Sequence, residues 1–289
     1  MSRPSGSDVF EFSYYHIWEY VVAGNVAERM NTRAEFVDFL KSRGHVQMIA
    51  EEYAEKNIGL LLNNIQVVCE QWDALGIPRP LEVTDQSGSI ITWRHPKFEG
   101  ISGRRKLSEN FCDVWRWVKE CRDRDFLLCC AAYLHLLGCS RIYITDTSGD
   151  GGIDLIGIYE IEPLRGVCFL VQAKTALNEV AKESLFSDYT KYLLLRRNVK
   201  WNEYEKALGI DRTADGVGIV YMFASNLEFN PPIVQAARDL PIMLRSGRQI
   251  AYALSTRAPL SRWMRVREHV GETSASLSRN LGGHIMEAL

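Results

Sequence analysis

The sequence contains no apolar run of 18 residues, so its 289 residues offer no evident membrane-spanning helix. No secretory signal precedes the first predicted helix. The seven cysteines are odd in number, include no Cys-x-x-Cys pair and mostly lie in apolar runs. Buried thiols in a reducing compartment explain this pattern most simply. We therefore expect a cytoplasmic protein that has no membrane partner.

A surplus of positive charge is also missing, because the formal net charge is −2. This argues against a protein that coats nucleic acid nonspecifically, and any contact with phosphate must come from local basic patches. No Gly-Lys-Ser/Thr follows the glycine-rich segment at 149–152, so there is no P-loop, and no helix-turn-helix is evident. With 46% hydrophobic and 24% charged residues, the chain is typical of a globular protein with ample material for a core.

The most informative stretch is a predicted β-hairpin in the middle of the chain. Residues 153–158 and 167–174 are rich in β-branched residues, which is typical of strands. The segment between them contains Pro163 and Gly166, which are turn signals. Two such runs joined by a short turn predict an antiparallel pair.

The position of the turn fixes which residues face each other. A turn centred near Pro163 sets Asp154 opposite Gln172, with Lys174 two residues further along. Because side chains alternate faces along a strand, Gln172 and Lys174 point to one face and Ala173 to the other. The sequence thus predicts a carboxylate, an amide oxygen and an ammonium group on one patch of sheet.

This patch has the chemistry of a site for a hard divalent cation. Asp154 supplies a carboxylate, Gln172 a side-chain carbonyl and Ala173 a third candidate ligand through its backbone carbonyl, which suits Mg²⁺ or Mn²⁺. Lys174 beside them can orient a water molecule and offset negative charge that develops on a phosphate. The set suits the hydrolysis of a phosphodiester.

The motif Gly-Asp-Gly-Gly-Ile-Asp-Leu at 149–155, followed by Gln-Ala-Lys at 172–174, resembles the Mrr-like branch of the PD-(D/E)xK nuclease superfamily. In that branch Gln often replaces the acidic residue of the (D/E)xK element. The resemblance extends over about half of the chain. It includes a first core helix at 126–138, a later strand and helix at 216–224 and 233–237, and closing strands at 242–254 with a turn at Ser246-Gly247.

The resemblance implies an α/β fold with a restriction-endonuclease-like mixed central sheet flanked by helices. It also implies a metal-dependent DNA endonuclease that uses Mg²⁺ or Mn²⁺, with Asp154, Gln172 and Lys174 as catalytic residues and Asp154, Gln172 and Ala173 as metal ligands. Modules of this kind occur in restriction of foreign or modified DNA and in antiviral defence, often inside complexes with other proteins. Because cutting two strands with a one-site nuclease usually takes two copies, we expect a homo-oligomer.

One family feature is absent from the predicted first core helix. The family usually carries a metal-binding Glu directly after the Phe of this helix, but here Phe126 is followed by Leu127. Asp125 and Asp123 stand nearby and either replace it, if the helix is shifted, or cap the helix and favour its dipole, which is the better interpretation. An alternative function follows: a catalytically weakened nuclease-fold module that acts as a nucleic-acid-binding or scaffold subunit. A weaker one is a structural subunit that docks a motor or sensor protein.

The rest of the chain divides around this predicted nuclease domain at residues 107–254. Residues 1–106 are predicted to form a mainly helical domain that binds a protein partner or DNA, with a capping box starting at Thr32 and a long helix at 46–75. Residues 255–289 are predicted to form a basic amphipathic helix, a loop at 273–283 and a short tail.

The N-terminal region also carries a stripe of aromatic residues at helical spacing. Two interpretations are open, a base-stacking platform and a hydrophobic core. The spacing favours the core. The stripe consists of Tyr14, Trp18, Tyr53 and Trp72.

Overall fold

A computed structural model of the chain divides into two compact units, residues 1–112 and residues 113–289. The structure describes residues 3–18, 29–74, 81–84, 90–93, 108, 110–145, 152–161, 165–177, 180–195, 197, 199–210, 218–271 and 276–289. The segment at 100–106, which contains a cluster of basic residues, lies outside these residues. The functional division at residues 106 and 254 stays a prediction.

The N-terminal unit combines helices with a small antiparallel sheet. Its helices are α1 (Gly6–Glu11), a π-helical turn (Phe12–His16), α2 (Thr32–Ser42) and α3 (Gln47–Ala74). Its strands are β1 (Arg29–Asn31), β2 (Leu81–Val83) and β3 (Ile90–Trp93), and β3 lies between the other two. The long helix predicted at 46–75 is confirmed.

The aromatic stripe of this unit forms hydrophobic core. Tyr14, Trp18 and Trp72 are at most 1% exposed, and the rings of Trp18 and Trp72 stack with their centroids 5.8 Å apart. Rings that are this deeply buried cannot stack on bases, so the core interpretation is confirmed for these three residues, while Tyr53 is only half-buried. The predicted cap of α2 is wrong by one residue: the Asn31 side chain accepts the Ala34 N–H, while Thr32 is buried inside the helix.

The second unit is built on a five-stranded mixed sheet in the order β4-β5-β6-β7-β8. The strands from β4 to β6 are antiparallel, and β7 lies parallel between β6 and β8. This is the mixed sheet flanked by helices that the sequence predicts. The strands are β4 (Arg141–Ile144), β5 (Leu155–Ile161), β6 (Arg165–Lys174), β7 (Gly218–Ser225) and β8 (Ile242–Arg245).

Helices cover both faces of this sheet. Helix α5 packs on β4, β5 and β6, where Leu134 comes close to Gly157. The opposite face carries a hydrophobic cluster in which Ile156, Leu170 and Tyr221 of the sheet pack with buried residues of α6, α7 and α8. The first helices of the unit are α4 (Phe111–Glu120), α5 (Asp123–Leu136), α6 (Lys182–Leu195), α7 (Val199–Leu208) and α8 (Pro231–Arg238). No helix among the described residues is both long and apolar enough to cross a membrane.

The register of the central hairpin agrees with the prediction from its turn. Leu155 lies opposite Val171, and Ile161 lies opposite Arg165. Continued by one residue, this register brings Asp154 opposite Gln172. The turn residues 162–164 lie outside the described part of the chain, but the pairing on either side of them confirms the predicted alignment.

The prediction of closing strands at 242–254 is wrong beyond residue 245. Strand β8 is followed directly by helix α9 (Gly247–Arg257), which starts with a capping box between Ser246 and Gln249. Ser-x-x-Gln is a helix-start pattern because each residue satisfies the other's exposed N–H group. A Cβ at Gly247 would lie 2.0 Å from the Asn226 carbonyl oxygen. Glycine is therefore required here because the two backbones approach closely, and not because the chain makes a hairpin turn.

The C-terminal segment forms two helices, α10 (Leu260–Val270) and α11 (Leu281–Ala288). Helix α10 is amphipathic as predicted, because Trp263, Val266 and Val270 are buried while its arginines lie outside. The loop predicted to reach residue 283 is shorter, since Asn280 caps α11 and accepts the Gly282 N–H.

Candidate active site

Asp154 occupies the junction between β4 and the hairpin. Its backbone carbonyl accepts the Thr145 N–H at 2.9 Å, and its own N–H donates to the Val171 carbonyl at 2.8 Å. One side-chain oxygen, Oδ2, accepts the Gln172 Nε2–H at 2.5 Å and the Ala173 N–H at 2.7 Å. The hairpin register therefore fixes both the backbone and the carboxylate of Asp154.

Gln172 is 5% exposed and faces this carboxylate with its amide nitrogen. Nε2 also lies 3.5 Å from the Ala173 carbonyl oxygen. Without a cation, the NH₂ group is the half of the amide that can donate to a carboxylate, because two oxygens side by side would repel. A half-turn of the amide plane would present Oε1 to the same place, so one side chain can serve either arrangement.

Gly152 allows the chain to pass close to the amide. Its φ angle is +78°, and an added Cβ would lie 3.2 Å from Gln172 Oε1 and 3.4 Å from the Asp188 carbonyl oxygen. Glycine adopts this left-handed conformation without steric cost, and any side chain here would crowd the amide of Gln172. Asp150 and the rest of the turn at 146–151 lie outside the described residues.

Lys174 is the last residue of β6, and its ammonium group forms an ion pair with helix α6. Lys174 Nζ lies 2.8 Å from Asp188 Oδ2, and Lys191 Nζ lies 2.8 Å from Asp188 Oδ1. The Asp188 side chain is only 3% exposed, whereas those of Lys174 and Lys191 are 33% and 55% exposed. One buried carboxylate thus holds two partly exposed ammonium groups.

The electrostatics of this trio keep Asp188 ionised. Burial by itself would raise the pKa of the Asp188 carboxyl, but the hydrogen bonds and charges of Lys174 and Lys191 outweigh burial and lower the pKa. Burial raises the pKa of the neighbouring Tyr221 hydroxyl, and the charges of Asp188 and Asp154 raise it further. Both carboxylates therefore lie within electrostatic reach of one hydroxyl group.

The structure brings the predicted patch together on one face of the sheet. Along β6, Leu170, Gln172 and Lys174 alternate with residues of the other face, and Leu170 packs in the cluster under α6. Asp154 joins this face through its hydrogen bond to Gln172, and Lys174 through its ion pair with Asp188. The catalytic and metal-binding roles of these residues stay predictions.

Sequence reasoning missed both Asp188 and Lys191 as members of this site. Of the large apolar residues on α6, Phe186 and Leu193 are 41% and 44% exposed. The buried stripe instead runs through Leu185, Asp188, Tyr189 and Tyr192. An acidic residue at the inner spacing of a helix was the available signal.

Lys191 lies near the C-terminal end of this helix, where a cation favours the helix dipole. Its ammonium group pairs with Asp188 one turn earlier instead. The cluster at the helix end also includes Arg196 and Lys200, whose side chains lie outside the described part of the chain.

The position of the missing family Glu is apolar. Leu127 is 5% exposed, next to the fully buried Phe126. Asp123 and Asp125 lie in the first turn of α5, where a negative charge favours the helix dipole, but the N-cap is Arg122 and it makes no side-chain cap. Asp125 Oδ2 pairs with Arg267 at 2.9 Å, which favours a first-turn role over that of a replacement ligand.

The donor set fits the divalent cation that the family implies. Asp154, Gln172 and the Ala173 carbonyl offer only hard oxygen ligands, and Gln172 Nε2 already lies within 3.5 Å of both other groups. Mg²⁺ keeps several waters and uses only a few protein ligands, so a set of two or three oxygens is adequate.

Comparison with known proteins points to the same region. A family model described as "Restriction endonuclease" matches residues 118–187, which run from the end of α4 into α6. The matched segment contains Asp154, Gln172 and Lys174 and ends one residue before Asp188. No curated protein matches the chain.

Two solved structures resemble the chain distantly. One, titled as the MspJI restriction endonuclease in complex with a 27-mer oligonucleotide, shares 15% identity over 68% of this chain with a TM-score of 0.36. The other, protein VC1899 from Vibrio cholerae, shares 11% identity over 91% of this chain with a TM-score of 0.24. The chain spans 41% and 57% of the lengths of these two proteins.

Proposed function

We propose that this chain, which is restriction-endonuclease-like and carries the matched endonuclease segment at residues 118–187, hydrolyses phosphodiester bonds in DNA with the help of Mg²⁺ or Mn²⁺. The observation that carries the proposal is the convergence of Asp154, Gln172 and Ala173 at the end of the hairpin, with Lys174 on the same face. Oxygen donors for a cation, with an ammonium group on the same face, suit a cation-assisted phosphodiester hydrolase.

In this proposal Asp154, Gln172 and the Ala173 carbonyl hold the cation. When bound, the cation supplies positive charge for a phosphate oxygen and lowers the pKa of a bound water. With a cation bound, Gln172 would offer its amide oxygen as a ligand in place of its hydrogen bond to Asp154. Lys174 orients the attacking water and offsets the charge that grows on the phosphate.

Asp188 is a positioning residue in the same scheme. Its buried carboxylate fixes the Lys174 ammonium at 2.8 Å and leaves it partly exposed to substrate. Lys191, the second and more exposed ammonium on the same carboxylate, provides a contact for a neighbouring phosphate of the DNA strand. These three residues therefore form the phosphate-facing wall of the site.

The wider setting follows from the family resemblance. Restriction or antiviral defence in the cytoplasm is the proposed role. The helical N-terminal unit docks a protein partner, and two copies of the chain cut the two strands of one duplex.

The buried Leu127 favours a second candidate function. If the family Glu is needed for a competent metal site, the chain binds nucleic acid or a partner without cutting. The nuclease is preferred because Asp154 and Gln172 lie together and Lys174 lies on the same face, an arrangement that suits cation-assisted hydrolysis of a phosphodiester.

A plasmid assay separates the two functions. The purified chain is incubated with supercoiled plasmid in Mg²⁺ or Mn²⁺, alongside Lys174→Ala and Asp154→Asn, and binding to a labelled duplex is followed by fluorescence anisotropy. We expect nicking or linearisation that is abolished by chelation and falls by about 10²-fold or more in both variants. Lys206→Ala removes an exposed lysine on α7 and is the matched control, which should retain full activity.

Binding without cleavage in the wild type would favour the scaffold. Equal cleavage by the wild type and Lys174→Ala would rule out the proposed site.

A further inference from the structure

The two C-terminal helices bring together a second group of ligand-type side chains, far in sequence from Asp154. His269 lies in the last turn of α10, and His284 and Glu287 lie one turn apart on α11. One potential ligand atom from each of the three lies within 4.8 Å of the other two. Two imidazoles and a carboxylate are the donor types of many three-ligand zinc sites.

The distances between these atoms resemble those between ligands of one metal ion. His269 Nε2 lies 3.5 Å and His284 Nδ1 lies 4.0 Å from Glu287 Oε2. Good N–H···O hydrogen bonds are shorter, about 2.7–3.2 Å, so neither contact is a well-made hydrogen bond. Zinc–ligand bonds of about 2.0–2.1 Å place adjacent tetrahedral ligands about 3.4 Å apart. Shifts of roughly 1 Å in side-chain position, within ordinary rotamer adjustment, would bring the three atoms to that spacing.

The backbone under these side chains is fixed by buried contacts. Trp263, Val266 and Val270 on α10, with Leu281 and Ile285 on α11, are at most 2% exposed. The Ser276 N–H donates to the Ile144 carbonyl at 2.9 Å, which ties the connection between the helices to strand β4. Asn280 caps α11 and accepts the Ile142 N–H, which adds a second tie to the same strand.

The side chains themselves remain accessible to an ion. The His269 and His284 side chains are 47% and 40% exposed, and that of Glu287 is 66% exposed. The site is therefore open to solvent on one side, and water can fill the fourth coordination position. Neutral imidazole nitrogens select borderline cations such as Zn²⁺ over Mg²⁺, which prefers oxygen ligands.

We propose that His269, His284 and Glu287 form a zinc-binding site that clips α10 to α11. The bound ion replaces a loose polar contact with three metal–ligand bonds across the two helices. It thereby stabilises the packing of helices α10 and α11 against strand β4. The site is independent of phosphodiester chemistry, since its ligands and its preferred cation differ from those of the Asp154 site.

Zinc titration of the full-length chain tests this site. The protein is stripped of metal with a chelator, dialysed into buffer with millimolar Mg²⁺ to occupy the oxygen-ligand site, and titrated with ZnCl₂ by calorimetry. We expect one equivalent of Zn²⁺ to bind at micromolar concentration and to raise the melting temperature. His269→Ala and His284→Ala should each weaken binding at least tenfold, a lower bound because even outer-sphere partners give about 10–100-fold effects.

The controls separate this site from other zinc ligands in the chain. His45→Ala removes a histidine of the N-terminal unit and should leave zinc binding unchanged. Because His269 and His284 are largely exposed, their alanine variants should melt like the wild type in the absence of zinc, which checks that they fold. In Co²⁺-loaded protein, the visible absorption bands of a tetrahedral ion should be lost in both variants.

Two outcomes would overturn the proposal. One is the absence of zinc binding to the wild type at micromolar concentration. The other is equal zinc affinity in the wild type and the two histidine variants. The result for the plasmid assay has no bearing on either.

Discussion

Replacement of Asp188 by Asn tests how much the buried carboxylate between Lys174 and Lys191 contributes to stability and to cleavage. The variant keeps the size of the side chain but removes its charge, and its NH₂ group must face one of the two ammonium groups. Charge-assisted hydrogen bonds contribute about 1.5–3 kcal/mol each when both partners are buried. Lys191 is 55% exposed, so its pair is screened by solvent and contributes at most about 1 kcal/mol.

The loss is expected to be dominated by the contact with Lys174, which is 33% exposed. Removal of one partner from a fully buried ion pair costs about 3–5 kcal/mol, and the partial exposure of both lysines reduces this to about 2–3 kcal/mol. For a unit of this size, about 2–4 °C is lost for each kcal/mol. The melting temperature should therefore fall by roughly 5–10 °C, as measured by circular dichroism.

The same variant should also affect cleavage by the folded protein. Without its anchor the Lys174 ammonium moves away from the water that it orients, and a displacement of about 1 Å costs on the order of 10²-fold in rate. Plasmid cleavage measured well below the melting temperature should fall by 10-fold or more, while duplex binding changes less. Asp113→Asn, which alters an exposed acid of the same unit, is the matched control and should change stability by no more than about 0.5 kcal/mol.

Three results distinguish the possible roles of Asp188. Loss of both stability and rate supports the positioning role. Loss of stability with an unchanged rate would make Asp188 a structural residue only. An unchanged melting temperature and an unchanged rate would refute the inference that this carboxylate holds Lys174.

Further predictions concern acid stability, Gly152 and Gln172. Because the folded-state pKa of Asp188 is lowered, its contribution is present above the ordinary carboxyl pKa of 3.8 and is lost as the pH falls below it; the melting temperatures of the wild type and Asp188→Asn should converge in acid. Gly152→Ala places a side chain at a φ of +78° and 3.2 Å from Gln172 Oε1, so it should cost about 1–2 kcal/mol of stability by denaturant titration and weaken Mg²⁺ binding. Gln172→Glu sets two carboxylates side by side; without metal the melting temperature should fall, and calorimetry should show tighter Mn²⁺ binding than in the wild type. Equal Mn²⁺ affinity in the two proteins would argue against a cation between Asp154 and Gln172.

Local sequence determined the central part of the site. Period-two alternation and a short turn set the pairing of β5 with β6, and Asp154 therefore meets Gln172 without reference to the rest of the chain. The same local information was available at residues 246–249, where Ser-x-x-Gln is typical of a helix start. At these residues the family resemblance predicts a hairpin and the capping pattern a helix, and the chain follows the capping pattern.

Tertiary packing alone decided the partner of Lys174. Asp188 reaches it only because α6 lies across the sheet with the stripe of Leu185, Tyr189 and Tyr192 pressed into the core, and the phase of that stripe depends on which residues the sheet accommodates. The meeting of His269 with His284 likewise depends on how α10 packs on α11. A hairpin register follows from a few neighbouring residues, whereas the docking of a helix depends on the shape of a surface built from distant segments.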